Sequence, residues 1–158
     1  MALFGLLSMA NVNAASLTVD GGWNKFTFGG AGSSWSETFS FTLTNAAKFS
    51  VTDAFLSGDQ FSFTDGHTIW STSTPVNDGT DFGSDYDAAL ASTKFSSLSV
   101  ILGAGSYTIS GLTTLSPYGG GGAAAQLSSV PVPAAAFMFA PALLGFMGLR
   151  RKAKNTVA

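Results

Sequence analysis

The sequence contains no cysteine, one histidine and one glutamate among 158 residues. The first absence excludes thiol catalysis, thiolate metal centres and a disulfide framework, so the fold must rest on burial rather than cross-links. With Glu37 the sole glutamate, a glycosidase carboxylate pair would need aspartates, and none can be placed opposite another from the sequence. His67 follows Asp65 and Gly66, an order a hydrolase could use. It falls between two strand patterns, however, where Asp-Gly makes a tight turn, and no Gly-x-Ser-x-Gly nucleophile elbow occurs. The chain is read as non-enzymatic.

Charge is scarce as well: 10% of residues are charged against 46% hydrophobic, and phenylalanine alone occurs 14 times. Such a composition is too apolar for a disordered chain and too poor in charge for a typical cytosolic protein. Of the seven basic residues, four are Arg150, Arg151, Lys152 and Lys154, which leaves Lys25, Lys48 and Lys94 against nine acids in the rest. That acidic remainder has no basic patch to hold phosphates, so nucleic acid is set aside as a partner. No repeat of 20 to 50 residues is visible.

What the chain has is period-two alternation. In Ser36 to Thr44, Phe39, Phe41 and Leu43 fall on one face and Thr38, Ser40, Thr42 and Thr44 on the other, the pattern of a half-buried strand. Phe61 with Phe63 and Val100 with Leu102 repeat it. Similar short stretches occur at 25–29, 49–52, 60–64, 68–71, 97–102, 106–112 and 123–128, divided by Gly, Asp, Asn and Ser. Only Tyr86 to Ser92 favours a helical turn, with Asp85 as its cap. Ser57-Gly58-Asp59 reads as a hairpin turn between two strands, and Gly119 to Gly122 as the turn before the last strand. With no long helix to cover it, so apolar a sheet must close on another, which predicts an all-β domain of β-sandwich or jelly-roll type over residues 16–129.

The two ends read differently. Residues 1–15 form a short secretory signal with an apolar ALFGLLSMA stretch and small residues Val12 and Ala14 at the cleavage positions. Its basic first segment is missing, since the first base is Lys25, which is read as a start downstream of the true one. Residues 130–149 carry no charge, and a helix of about 20 residues at about 1.5 Å each just spans a bilayer's hydrocarbon. Pro141 within it is tolerable in a membrane helix. The basic run of 150–158 then places the C-terminus in the cytoplasm and the domain outside.

Val130-Pro131-Val132-Pro133-Ala134, an apolar helix and a basic cluster at Arg150, Arg151 and Lys152 together resemble the PEP-CTERM sorting signal of Gram-negative bacteria, in its VPxPA variant. Val132 stands where that family's hallmark has glutamate between the prolines. Val51 to Phe61, Leu102 to Ile109 and Ser116 to Ala123 also resemble phrases of small exported β-domain proteins of that family whose function is unassigned. The resemblance implies export across the inner membrane, transient anchoring there, processing by an exosortase, and a structural or adhesive role at the cell surface or in the matrix, linked to exopolysaccharide. An ordinary single-span anchor that is never cleaved is the alternative.

Two further sets of residues are candidates for ligands. Asp78, Asp81, Asp85 and Asp87 place four acids in ten residues with flexible glycines, a composition suited to calcium; the spacing is not that of an EF-hand, and Asx turns with a helix cap explain the same residues. Among the large aromatics, Trp70 and Tyr118 flank turn-rich stretches and are the candidates for stacking on sugar rings, against core filling as the plainer use. A calcium-assisted carbohydrate-binding module is therefore the rival function.

Overall fold

The computed structural model describes residues 13–131. The expected signal up to Val12, the sorting motif from Val132, the apolar helix and the basic cluster lie outside the described residues. Among the described residues no helix is long and apolar enough to cross a membrane.

Among the described residues nine strands and one short helix follow in order: β1 (Asn13–Ser16), β2 (Asn24–Gly29), β3 (Glu37–Leu43), β4 (Ala47–Asp53), β5 (Gln60–Thr64), β6 (Ile69–Ser71), α1 (Tyr86–Ala91), β7 (Ser97–Leu102), β8 (Gly105–Leu115) and β9 (Gly120–Ser129). They form two sheets, one ordered β1-β3-β8-β5-β6 and the other β2-β9-β4-β7. From β2 to β9 the chain passes repeatedly from one sheet to the other, the strand order of a jelly roll. The expected β-sandwich is thus observed. Every pairing is antiparallel except β1 with β3, which aligns Asn13 with Glu37 and Ser16 with Ser40. This parallel edge strand lies partly within the segment 1–15 read as a secretory signal, a pairing that two alanines flanked by Asn and Ser do not announce in sequence.

Alternation does what the sequence predicts. Phe39 and Leu43 of β3, Phe26 and Phe28 of β2, Phe49 and Val51 of β4, Phe61 and Phe63 of β5, and Leu102, Ile109 and Leu127 point between the sheets and are buried. Phe41, on the same face, stacks between Phe49 and Tyr107 at centroid distances of 5.9 and 5.5 Å. α1 is held by Asp85, whose Oδ1 accepts from the Ala88 N–H at 3.0 Å. It covers part of the outer face of the four-stranded sheet, where Tyr86 packs with Ala54, Ala124 and Trp23.

Two expectations are corrected. Gly120, Gly121 and Gly122 are not a turn; they are strand residues of β9 opposite Gly29, Phe28 and Thr27. Their missing side chains are needed there, because a Cβ at Gly121 would stand 3.1 Å from the Phe28 ring and one at Gly122 3.0 Å from the Phe55 ring. Ser57-Gly58-Asp59 does not make a hairpin either, since β4 and β5 belong to different sheets and residues 54–59 carry the chain across the end of the sandwich.

Phe39→Ala should lower stability by about 3 to 5 kcal/mol, whereas Thr42→Ala on the opposite face of the same strand should cost less than about 1 kcal/mol. Chemical denaturation of the two variants checks this; equal midpoints would contradict the observed facing of β3.

Candidate functional site

At one end of the sandwich three loops converge. Residues 54–59 pair with the loop before α1: Phe55 N–H donates to Gly83 O at 3.0 Å, Phe82 N–H to Phe55 O at 3.1 Å and Ser57 N–H to Thr80 O at 2.9 Å. The β8–β9 turn joins them through Tyr118, whose hydroxyl donates to Asn77 Oδ1 at 2.6 Å, and through Pro117, which lies against Gly58. Gly58 adopts φ +143°, a conformation that side chains rarely accept, and a Cβ there would press on Pro117 and Asn77.

Beneath this cap sit two carboxyl groups. Asp53, at the end of β4, is wholly buried, and Asp59, just before β5, is 3% exposed. Asp53 Oδ1 accepts from the Ala54 N–H at 2.8 Å and Oδ2 from the Asp59 N–H at 3.2 Å. Burial, and then the neighbouring Asp59 charge, push the Asp53 carboxyl up to about 8, against the opposing pull of the backbone N–H groups of Ala54, Asp59 and Gly58. Burial also raises Asp59, with the nearby Ser116 hydroxyl pulling the other way. Among the described residues, Asp59 Oδ1 and Ser116 Oγ are buried without a hydrogen-bond partner.

The four acids proposed for calcium do not converge. Asp78 Oδ1 accepts from Thr80 N–H and Oγ and from Ser57 Oγ, while Oδ2 meets Lys94 Nζ at 2.7 Å. Lys94 first, and Thr80 next, hold its carboxyl far below the usual range. Asp81 Oδ1 accepts from Gly83 N–H at 2.6 Å, Asp85 caps α1, and Asp87 Oδ1 takes the Trp23 indole N–H at 2.9 Å. Each is committed to a local contact, and among the described residues no three His, Cys, Asp or Glu side chains group as metal ligands. Asp65 likewise serves its turn: Oδ1 accepts from Thr68 N–H at 2.7 Å and from His67 N–H at 2.9 Å, which lowers its pKa.

The aromatic candidates are also apart. Trp70 is half-buried at the sheet edge, its ring stacked on Phe63 at 5.5 Å, whereas Tyr118 is exposed on the three-loop cap. Neither signalled what the outer face of the five-stranded sheet displays. Across it run Ser16, Ser40 and Thr108 in one row, Thr64 beside Ser110 in another, and Thr42 bonded to Ser106 at 3.0 Å. Where β3 and β8 separate beyond Phe39 and Ile109, a cleft of about 330 Å³ opens, rimmed by Ser34, Glu37, Thr38, Ser62, Thr64 and Ser110. Trp35, Phe63 and Gly111 lie at its apolar base, with Ile69 and Leu112 beside it. The alternation of Thr and Ser was visible in the sequence, but their alignment across three strands was not.

These features define a β-sandwich with one hydroxyl-bearing sheet face and a capped end that encloses two acids. No known family model matches the chain, and no curated protein does. Among solved structures it is similar to the 1.0 Å crystal structure of the pre-peptidase C-terminal domain of a collagenase from Bacillus anthracis, with TM-score 0.42 and 9% identity over 75% of this chain and 96% of that one. A likeness at that level assigns neither activity nor ligand here.

In metal-free buffer the thermal midpoint should fall as pH rises from about 4 to about 8 and then level. Asp53 titrates near 4 when unfolded and near 8 when folded, so the native state holds an extra proton in that window and loses the associated stability as the pH climbs. Asp53→Asn should flatten the slope. A wild-type midpoint that rises over the same range would contradict the burial of an uncompensated carboxyl pair.

Proposed function

We infer that this chain is an exported surface or matrix protein, non-catalytic, whose sandwich serves as a structural or adhesive module against neutral polysaccharide. The single observation that supports the adhesive role is the outer face of the five-stranded sheet. It presents hydroxyls in register, with no Lys or Arg among them and Glu37 at the rim, and it opens into a cleft with an apolar base. Hydroxyl rows exchange hydrogen bonds readily with a polyhydroxy chain, and an apolar base receives the C–H face of a sugar ring. The absence of a base around the cleft disfavours anionic ligands.

Delivery is read from the sequence ends. The Val130 to Ala134 motif, the apolar stretch and Arg150, Arg151 and Lys152 make the chain a substrate for an exosortase at the inner membrane of a Gram-negative bacterium, after which the domain joins the cell surface or matrix. Intact-mass measurement of surface material from a host with a matching exosortase tests delivery: the mature chain should lack Leu149 to Ala158, and a chain that keeps them is an ordinary anchored protein.

Affinity electrophoresis of the full chain through gels containing the host's neutral exopolysaccharide tests the role. Retardation is expected, and Ser110→Trp, which fills the cleft from an exposed strand position, should reduce the apparent affinity by about tenfold without changing the thermal midpoint. A wild-type chain that migrates unretarded would remove the adhesive reading.

A further inference from the structure

Opposite the capped end, the sandwich closes where the chain leaves it. β9 is paired up to its last residue, with Ser129 beside Ala47, and Asp20 Oδ1 accepts from the Ser129 N–H at 2.8 Å. Asp20 makes that bond from φ +60°, a left-handed conformation that aspartate enters more readily than most side chains. The exit is therefore fixed to the body of the domain. Val130 follows at once and opens the uncharged stretch 130–149 read as a bilayer span; since about 20 residues are needed to cross the hydrocarbon, none is left over as a spacer. The headgroup layer on each side is only about 5 to 8 Å deep, so a strand that ends where the span begins has its end at that layer.

The chemistry of this exit end suits such a position. Gathered there are the β1–β2 loop with Val19 and Asp20, the β3–β4 crossing of Thr44, Asn45 and Ala46, and the β7–β8 turn at Gly103 and Ala104. Val19 is 43% exposed, Ala46 and Ala104 are exposed, and a cleft of about 750 Å³ runs between Val19, Leu43, Ala46, Val130 and Pro131. Charge is sorted by end. Asp53, Asp59, Asp78, Asp81, Asp85 and Asp87 belong to the capped end, Glu37 opens β3 at the far end from Leu43, and Asp65 is held in the β5–β6 hairpin. The acid at the exit, Asp20, is turned to Ser129. Lys48, half-buried on the outer side of β4 opposite Ser128, brings a positive charge close to the same end.

We propose that the exit end, bearing Val19, Thr44 to Ala46 and Ala104, docks on the lipid headgroups of the bilayer that the chain's own apolar stretch enters, with the capped end pointing away. Small apolar and uncharged polar side chains enter a headgroup layer without stripping water from a charge, and a lysine on a flexible stem reaches lipid phosphates. The acid-rich end would instead be repelled by anionic lipid. Docking rests on the reading of residues 130–149 as a span and adds an orientation to it. Because the strands run from one end to the other, it leaves the hydroxyl face of the five-stranded sheet free of lipid.

The absence of cysteine makes the test direct, since a single one can be placed and labelled anywhere on the surface. The full chain is reconstituted into vesicles of phosphatidylethanolamine and phosphatidylglycerol, with a fluorophore on Ala46→Cys, Ala104→Cys or Ser84→Cys, the last on the capped end, and part of the lipid is exchanged for lipid spin-labelled at the headgroup. The labels at Ala46 and Ala104 should each lose about half or more of their emission, because the quencher occupies a layer only about 5 to 8 Å deep, and the label at Ser84 should keep its own. Adding Ala46→Asp, an exposed change that sets a carboxylate against the phosphates, should reduce the quenching of the Ala104 label by about twofold. Flotation of the vesicles reads the anchor separately. A chain that floats with the vesicles but is quenched equally at all three positions, or at none, keeps its anchor and overturns the docking. A chain that does not float overturns the span and the docking together.

Discussion

The structure depends on one block of rings between the sheets. Phe26 stacks on Trp35 at 4.2 Å, Phe28 meets Phe61 edge-on at 4.8 Å, and Phe61 touches both Phe26 and Trp35 at 5.9 Å. Phe39 and Phe63 extend the block towards Phe49. With no cysteine in the chain and one short helix among the described residues, this packing must hold two sheets together, and each ring buried is worth roughly 1.5 to 3 kcal/mol relative to exposure. Trp35 precedes β3 and reaches its place only because Gly111 of β8 has no side chain: a Cβ there would fall inside the indole ring's van der Waals shell. The same glycine lies at the base of the outer cleft, so the packing of the core and the opening on the surface share one cause.

That ring block ends where β4 ends. Beyond Val51 the inward positions are Asp53 and, across the loop, Asp59, and polar partners replace apolar ones: Thr72 bonds to both Phe61 and Ser96, and Asp53 N–H donates to Ser96 O. Loops that cross between sheets must satisfy their backbone groups somewhere. Here Asp53 does so for Ala54 and Asp59, which fixes the crossing but places a carboxylate where water is excluded. The cap formed by Asn77, Pro117 and Tyr118 then completes the exclusion. Stability at this end is consequently more sensitive to protons than in the aromatic block, where nothing titrates.

Much of this was legible because alternation is a local signal. β5 and β7 match the expected Gln60 to Thr64 and Ser97 to Leu102 residue for residue, and Asp85 caps α1 as its position before YDAALA suggests. The misreadings arise where local chemistry serves a distant partner. Ser-Gly-Asp has the same composition whether it turns a hairpin in water or crosses a sandwich end, and what lies against Gly58 and Asp59 is distant in sequence: Asn77, Ser116, Pro117 and Gly121. A glycine run reads as a turn until Phe28 and Phe55 are seen to need its emptiness. The acids at 78–87 looked like a ligand cluster because sequence shows their density and hides their directions, which diverge towards Lys94, Gly83, Ala88 and Trp23.

The two sheets are treated unequally on their outer sides, and this bears on function. The four-stranded sheet is partly covered by α1, and there even Ser50 and Thr52 are buried, with Ser50 bonded to Ser99 at 2.8 Å. The five-stranded sheet has no such cover; Thr42, Ser106, Thr108 and Ser110 stand exposed on it. A bare sheet face of a protein so poor in charge must be kept from sticking to its own kind, and hydroxyls do this without the salt sensitivity of charged side chains. The same choice leaves a surface with no basic side chain on it to hold phosphates. The side of the molecule with the open face is therefore set by where α1 packs, and α1 is placed by Tyr86 against Ala54 and Ala124 at the capped end, so the loops that enclose the acids also determine which sheet stays uncovered.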